Sequence, residues 1–263
     1  DNARKNLLKF RVDVRLCDVD KQFYLDYIDW LRSSCKTAWG KPVSPKTAHS
    51  YYTTLRTALN EAVRENLIAS NPWYRLEMTE KIKVPESKRD FLTIEEIKRM
   101  MATPFFNEQV RQAYLFSCFC GLRISDIRKL RWRDLSMSGG QWRASVVMTK
   151  TIHPVYIPLS SQAVKWLPER GDCTPDGLVF GGLPNEGNLC VNLKNWAEKA
   201  GVKKNVTFHT ARHSCAVLLL TLGADIYTVS KILGHRSVRS TQVYAKIVDK
   251  KKDDAIALVD NAF

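Results

Sequence analysis

The sequence predicts a mainly α-helical protein with a small antiparallel β-sheet, organised in two domains. Apolar residues recur at helical spacing behind capping residues, which predicts the helices. One stretch, residues 141–159, is rich in Val, Ile, Trp and Tyr and predicts the sheet. A charged, proline-containing stretch over 81–90 predicts a linker between a helical domain over 1–80 and an α+β domain over 91–263.

The predicted first domain contains two clear helices. Asp18 or Asp20 can cap a helix whose apolar face begins at Phe23. Ser44–Pro45 has the pattern of an N-cap followed by proline at the first helical position. The second helix is expected to end near Asn66, since asparagine is a common helix-end residue.

The predicted second domain opens with a helix start signal. Thr93 and Glu96 have the spacing of a capping box. A helix over 107–120 is expected to end at Gly121, and Ser125 can cap a short helix that follows.

A β-hairpin and a series of helices complete the second domain. Strands over 141–149 and 153–159 are joined by a short turn at Lys150, and a third strand is expected near 135–137. Helical patterns follow over 161–168, 188–200, 210–222, 225–233 and 238–248, with a tail helix over 253–263.

The charge balance favours a polyanionic partner. The chain has 41 Lys and Arg against 27 Asp and Glu, a net charge of +14. Residues 1–88 contain 16 basic and 11 acidic residues and residues 89–263 contain 25 and 16, so the excess is spread over both domains. Nucleic acid is the commonest partner of such a surface, and its binding should weaken with salt.

Other functional classes receive no support from the composition. No apolar run approaches the roughly 18–20 residues of a membrane span, and the first ten residues do not read as a signal peptide, so a cytoplasmic location is expected. The chain has an odd number of cysteines, seven, which predicts reduced and buried thiols rather than a set of disulfides. No two of them form a CxxC pair, so no zinc site is expected.

Four stretches contain the residues with the most chemical information. They read GLRISDI over 121–127, VVMTKTIHPVYIPL over 146–159, HTARH over 209–213 and LGHRSVRSTQVY over 233–244. As an ordered set they resemble the catalytic domain of the tyrosine recombinases, or phage integrases, over about residues 90–250. The preceding helices resemble, less specifically, the core-binding domain of that family. The second stretch is also similar to integrases of Bacteroides-type mobile elements.

The resemblance implies six catalytic residues. Each of the six positions holds the residue type expected from the family: Arg123, Lys150, His209, Arg212, His235 and Tyr244. The implied reaction is attack by Tyr244 on a DNA phosphodiester, which gives a 3′-phosphotyrosine and a free 5′-hydroxyl. Lys150 would protonate the leaving oxygen, while His209 and His235 would assist proton transfer or hold the phosphate.

The residue types also suit this chemistry on their own terms. Cleavage without a metal needs another source of positive charge, and two guanidinium groups can donate forked hydrogen bonds to phosphate oxygens. A phenol has an ordinary pKa of about 10, so at neutral pH it must be activated before it can act as a nucleophile. Since the phosphotyrosine conserves the phosphodiester bond energy, no cofactor or ATP is expected. We further expect Thr210 to cap the helix of Arg212, with His209 just before it, and Arg123 to precede a Ser125 cap.

Several of these residues have simpler interpretations. His209 and His213 have the i,i+4 spacing of helical metal ligands, but no third ligand stands at recognisable spacing, so His213 is interpreted as a packing residue or one that acts through another side chain. Asp126 is interpreted as a helix-start acid or a partner of an arginine.

The expected partner is double-stranded DNA, held between the two domains. Candidate contacts in the first domain are basic or aromatic, namely Lys36, Lys41, Lys46, Tyr51 and Arg56. The resemblance implies a homotetramer on DNA, for which the C-terminal helix is one candidate contact, and allows accessory DNA-bending or directionality factors. The protein would then be a bacterial, nucleoid-associated enzyme that integrates or excises a mobile element through a Holliday junction. A type IB topoisomerase and a noncatalytic DNA-binding accessory protein are the alternatives.

Overall fold

The computed structural model describes residues 2–83, 89–150 and 152–245. The chain forms two compact units, and the division between Lys88 and Arg89 falls inside the stretch interpreted as a linker. The first unit contains α1 (Asn2–Phe10), α2 (Lys21–Ser33), α3 (Pro45–Arg64), and short 3-10 turns at Leu16–Asp18 and Pro72–Arg75.

Capping and aromatic packing build the first unit. Asp20, rather than Asp18, caps α2 by accepting the N–H of Phe23 at 2.8 Å. Ser44 caps α3, and Pro45 occupies its first turn, as the sequence predicts. The buried core is rich in tyrosine, and the rings of Tyr24 and Tyr52 meet edge to face at 6.2 Å.

The second unit combines eight described helices with one described sheet. The helices are α4 (Ile94–Ala102), α5 (Glu108–Cys120), α6 (Ile124–Ile127), α7 (Ser161–Val164), α8 (Glu186–Lys199), α9 (Phe208–Thr221), α10 (Ile226–Ile232) and α11 (Arg239–Ala245). The strands are β1 (Leu135–Ser138), β2 (Gln141–Met148) and β3 (His153–Pro158), with a 3-10 turn at Trp132–Asp134 before β1.

The sheet is antiparallel with the strand order β1-β2-β3. Ala144 lies opposite Leu135 on one side and Ile157 on the other, and these three buried side chains face the core. The β2–β3 connection places Lys150 at an exposed turn, as expected for the predicted hairpin.

Helices α5 and α9 form the most extensive helix–helix contact of the described chain. Ala211 of α9 belongs to the large core that also includes Phe116 and Trp196. Further along the same helix, Ala216 and Leu220 belong to a smaller apolar cluster. Because α9 takes part in both cores, the position of its backbone is fixed along its length.

Some predicted features differ from the observed ones. The helix predicted over 161–168 ends at Val164. The helix predicted over 238–248 is present over Arg239–Ala245, and residues 246–248 lie outside the described residues. The predicted tail helix over 253–263 lies outside the described residues. No helix of the described ranges has both the length and the apolarity to cross a bilayer.

The cysteines are only partly buried. All seven are free thiols, and Cys35, Cys118, Cys120 and Cys215 are buried as predicted. The expectation of burial is wrong for the other three, Cys17, Cys173 and Cys190, which are exposed because they lie on an outer turn, a loop and the outward face of α8.

Candidate functional site

Helix α9 presents His209, Arg212 and His213 from its N-terminal half. Thr207 is the N-cap: its hydroxyl accepts the N–H of Thr210 at 3.3 Å, while the Thr210 hydroxyl accepts the N–H of Thr207 at 3.0 Å. The expectation that Thr210 caps this helix is therefore wrong, because the reciprocal pair starts the helix three residues earlier. His209 lies on the first helical turn, exposed, rather than in front of it.

Arg212 is buried, with only 3% of its surface exposed, and its side chain is fixed at both ends of the guanidinium fork. Nη1 donates to the carbonyl of Gly121 at 2.7 Å, and Nη2 donates to the carbonyl of Leu233 at 2.5 Å. These carbonyls end α5 and α10, where helix dipoles favour a cation. Burial, and next the charge of Arg123, lower the Arg212 pKa to about 10, so it stays protonated at neutral pH.

Gly121 allows this close packing. Its φ of +74° is left-handed, and a Cβ there would lie 2.6 Å from Leu233 Cδ2 and 3.3 Å from Cys215 Sγ. The conformation and the space both require glycine, which explains why the predicted helix end at this residue is confirmed.

Arg123 lies two residues after Gly121 and occupies the N-cap position of α6. The expectation of a Ser125 cap is wrong, because the chain already turns into helical geometry at Ile124. The half-buried Arg123 side chain approaches Met148, with 3.9 Å between Nη1 and Sδ. Two neighbouring elements, the end of α5 and the end of β2, thus position this guanidinium.

Lys150 is exposed at the β2–β3 turn, and Asp126 fixes the backbone beside it. The buried Asp126 carboxylate accepts the N–H of Thr149 at 2.8 Å. The interpretation of Asp126 as a helix-start acid is correct for its position in α6, but its described hydrogen bond to the turn was not anticipated from the sequence. Through this bond the turn of Lys150 is tied to the helix that follows Arg123.

Desolvation and the positive charge of the neighbouring side chains lower the pKa values of two histidines in the site. The His209 pKa is lowered first by partial desolvation of its otherwise exposed ring, and then by Arg212, Arg123 and Lys150. The His235 pKa falls to about 4, again through burial first and then through Arg212 and Arg123. His209 and His235 are therefore influenced by the same two cations, Arg123 and Arg212.

His235 is also held by a direct contact. It follows α10, and its Nδ1 lies 2.8 Å from the hydroxyl of the buried Thr241 on α11. Because that hydroxyl lies three residues before Tyr244, the bond connects the histidine to the helix of the proposed nucleophile.

Tyr244 is almost completely buried, with 1% of its surface exposed, in the cluster that contains Leu220 and Leu233. Its hydroxyl lies 2.5 Å from Nδ1 of His213. The exposed Arg89 covers the ring at 5.8 Å and donates from Nη1 to the phenol oxygen at 3.4 Å. The sequence reasoning missed both contacts: His213 had only its spacing as a signal, and Arg89 had none.

The site is cationic, and in the described part of the chain its two arginines, Arg123 and Arg212, have no ion-pair partner. The imidazole rings of His209 and His213 lie 6.3 Å apart, and the described residues contain no group of three or more metal-ligating side chains. Such an arrangement is suited to bind an anion.

The candidate DNA contacts of the first unit fall into two groups. Lys36, Lys41 and Lys46 are exposed, on or just after the loop between α2 and α3. Tyr51 instead packs partly against the core, and the Arg56 guanidinium lies 4.7 Å from the ring centre of Trp73. These two side chains therefore have structural contacts that the lysines lack.

Trp39 stands at the tip of the same loop with 88% of its surface exposed. The loop is ordered by backbone bonds from Thr37 N to Lys41 O at 2.8 Å and from Gly40 N to Thr37 O at 3.0 Å. Residues 31–60 contain five basic residues and no acidic one. Trp39 is thus an exposed indole on an ordered loop in a stretch whose charged residues are all basic. The sequence indicated only a turn at this position and did not identify Trp39 as a DNA contact.

Comparison with known families agrees with the fold and with the ordered motifs. Residues 90–251 match the Phage integrase family, and residues 1–83 match the Phage integrase SAM-like domain. A tyrosine recombinase of Thermosipho africanus is 31% identical over 277 residues, covering 97% of this chain and 93% of that protein. A tyrosine recombinase of Pseudothermotoga lettingae is 30% identical over 252 residues, covering 93% of this chain and 84% of that protein.

Solved structures confirm the fold at lower identity. The Tn1549 transposon integrase in complex with a circular intermediate DNA has a TM-score of 0.71 at 17% identity, covering 92% of this chain and 86% of that one. The XerH site-specific recombinase bound to palindromic difH has a TM-score of 0.67 at 19% identity, with 96% and 76% covered. These neighbours share the helical N-terminal region and the α+β second domain predicted for this chain.

The fold and the relatives define a tyrosine-type site-specific recombinase. The chain belongs to the phage integrase family. Neither the topoisomerase alternative nor the noncatalytic one is favoured by these relatives.

Proposed function

We propose that this recombinase binds double-stranded DNA, cleaves it with Tyr244 and exchanges strands through a Holliday junction. One observation carries the proposal: a single buried phenol lies beside a group of cations that no described carboxylate pairs with. A phosphodiester has a negative charge, which can pair with these cations through charge-assisted hydrogen bonds. The XerH and Tn1549 structures are themselves complexes with DNA, which supports the choice of partner.

The proposed reaction balances without a cofactor. The Tyr244 oxygen gives up its proton to a base in the site and bonds to phosphorus, the bond from phosphorus to the 5′ oxygen breaks, and Lys150 gives a proton to that leaving oxygen. A 5′-hydroxyl from a second duplex then attacks the phosphotyrosine and returns the phenol. The exposed turn of Lys150 suits a group that must reach a bound strand.

Arg123 and Arg212 are proposed to stabilise the charge on the nonbridging oxygens. Arg212 uses two donors on carbonyls, and a guanidinium has five, so N–H groups remain for phosphate. A fixed guanidinium needs no reorganisation as charge develops, which is the basis of electrostatic catalysis. His235 and His209 would hydrogen-bond the phosphate or assist proton transfer at the edge of the group.

We propose that the domain over 1–80 holds the duplex through Lys36, Lys41 and Lys46, with Tyr51 and Arg56 as less exposed candidates. Trp39 would add an apolar contact from the loop tip. The linker over 81–90 would let this domain and the domain over 91–263 close around DNA. The +14 charge supports retention of a polyanion by both.

The biological setting is proposed from the same relatives. A transposon integrase among the structural neighbours supports integration or excision of a mobile element in a bacterial cytoplasm, with nucleoid association while DNA is bound. A homotetramer would pair two sites, with the C-terminal helix as one candidate contact between protomers, and accessory factors could set direction.

A nicked suicide substrate tests the proposal. Cleavage near the nick releases a short strand that cannot return, so the covalent protein–DNA adduct accumulates. We expect an adduct with neither metal nor ATP added, and none with Tyr244→Phe, which should still bind DNA. An adduct that persists in Tyr244→Phe would overturn the assignment of the nucleophile.

A further inference from the structure

The phenol of Tyr244 meets two groups in the described part of the chain, and they differ in what they can do. Arg89 can only donate a hydrogen bond, and its Nη1 lies 3.4 Å from the phenol oxygen. Nδ1 of His213 lies closer, at 2.5 Å, and a neutral imidazole nitrogen can accept. The buried phenol proton therefore points to His213, and the ring proton of His213 is on Nε2.

The surroundings keep His213 neutral, as a proton acceptor requires. Burial, and next the charges of Arg89, His209 and Arg212, lower the His213 pKa to about 4. A base with so low a pKa is weak, but a phosphodiester brought into this cationic group adds a negative charge. That charge favours an imidazolium, so DNA binding strengthens the base at the moment when it is needed.

We propose that His213 is the general base that takes the phenol proton of Tyr244 when the DNA strand is cleaved. The proton moves from the Tyr244 oxygen to Nδ1 of His213, while the bond from that oxygen to phosphorus forms and the bond to the 5′ oxygen breaks. In the rejoining step the imidazolium returns the proton to the phenol. This inference rests on the proposed function and names one further catalytic residue for it.

Arg89 is the second hydrogen-bond partner of the phenol. It is exposed, whereas the ring beneath it is buried, so an arriving phosphate meets this cation first. If the phosphate draws Arg89 away, the phenol oxygen opens toward DNA while it keeps its bond to Nδ1 of His213. In that arrangement the base is still in contact with the nucleophile when the nucleophile becomes accessible.

The most direct test removes the basic nitrogen of His213 but keeps a hydrogen-bond acceptor for the phenol. The amide of asparagine can place an oxygen near the position of Nδ1, so His213→Asn can still accept the phenol hydrogen bond but cannot take the proton. We expect cleavage of the suicide substrate to fall by about 100-fold or more, in the range of general-base effects. Melting temperature and DNA affinity should stay near those of the parent, and His213→Gln serves as a second variant if the first does not fold.

Two chemical rescues separate a base from a group that only positions the phenol. Difluorotyrosine at position 244 is a stronger acid, so it should restore much of the lost rate in His213→Asn. A 5′-bridging phosphorothiolate, whose leaving sulfur needs no proton, should rescue Lys150→Ala but not His213→Asn. The cleavage rate of the parent should also decline at low pH as His213 takes up a proton beside Arg89, His209 and Arg212.

The outcomes are distinct. Parental cleavage rates in His213→Asn, or a loss that difluorotyrosine does not restore, would overturn the role of base. If the parent protein itself forms no Tyr244-dependent adduct, the proposed function fails instead, before any His213 variant is compared.

Discussion

The guanidinium of Arg212 donates from Nη1 to the carbonyl of Gly121 at 2.7 Å, across 91 residues of sequence. The bond joins α9 to the end of α5, two residues before Arg123. Since Gly121 is both left-handed and closely packed against Leu233, the position of the buried arginine depends on the absence of a side chain there.

Gly121→Ala should destabilise the protein and slow DNA cleavage. Left-handed backbone alone costs an alanine about 1–2 kcal/mol, and here the new methyl group also collides with Leu233. Gly201→Ala is the matched control, because Gly201 has a φ of +67° and no atom within 4 Å of the added Cβ. Urea unfolding should show the larger loss in Gly121→Ala, and equal losses would contradict the packing argument.

Asp126→Ala should slow cleavage through the turn that carries Lys150. The carboxylate anchors the N–H of Thr149, and a general acid displaced by about 1 Å can lose on the order of 100-fold in rate. Asp126→Asn keeps an acceptor oxygen and should remain closer to the parent. A phosphorothiolate substrate should restore cleavage by Asp126→Ala, because it needs no acid; failure of that rescue would mean that Asp126 acts elsewhere.

Lowering the pH should destabilise the fold already at pH values above those at which most carboxylates titrate. Burial is the main cause that lowers the pKa values of His213 and His235 to about 4, and partial desolvation lowers the His209 pKa as well. The unfolded chain binds these protons near its ordinary histidine pKa of about 6.5, so stability decreases as pH falls below that value. The melting temperature should drop between about pH 7 and pH 5. His213→Asn and His235→Asn should each flatten this dependence, and a constant melting temperature would refute it.

Salt dependence should separate the charged and apolar contacts of the first unit. Lys36→Ala and Lys41→Ala should each reduce the slope of log affinity against log salt by about 1, if each lysine neutralises one phosphate. Lys5→Ala, an exposed lysine on α1 outside the proposed contacts, should leave the slope unchanged. Trp39→Ala should weaken binding by about 1 kcal/mol or more at an unchanged slope. A changed slope for Trp39→Ala would contradict an apolar contact.

Local signals predicted the architecture well where a cap or a period determines it. The Thr93–Glu96 capping box and the Ser44 cap form as the sequence indicates. The cap of α9 was misplaced because Thr207 and Thr210 have equal intrinsic suitability, and only the reciprocal bond between them selects the first. The period of apolar residues likewise located the hairpin but could not fix where each helix ends.

The site was predictable as a set of residue types but not as a set of contacts. Arg123, Arg212 and His235 stood out because their motifs occur in a familiar order. The contact between Arg89 and Tyr244 joins residues 155 positions apart, and no periodicity or spacing encodes it. The same holds for the bond from Thr149 to Asp126, which depends on how α6 meets the end of β2.

The burial of Tyr244 bears on what happens away from a recombination site. A protein with a net charge of +14 associates with any duplex, and such encounters far outnumber those with its target. While Tyr244 stays buried, with 1% of its surface exposed, DNA that is bound only through charge contacts the cations of the site but cannot reach the nucleophile. Nonspecific contact with a genome therefore leaves the DNA intact, and breakage is reserved for complexes that displace Arg89 and open the phenol oxygen to DNA.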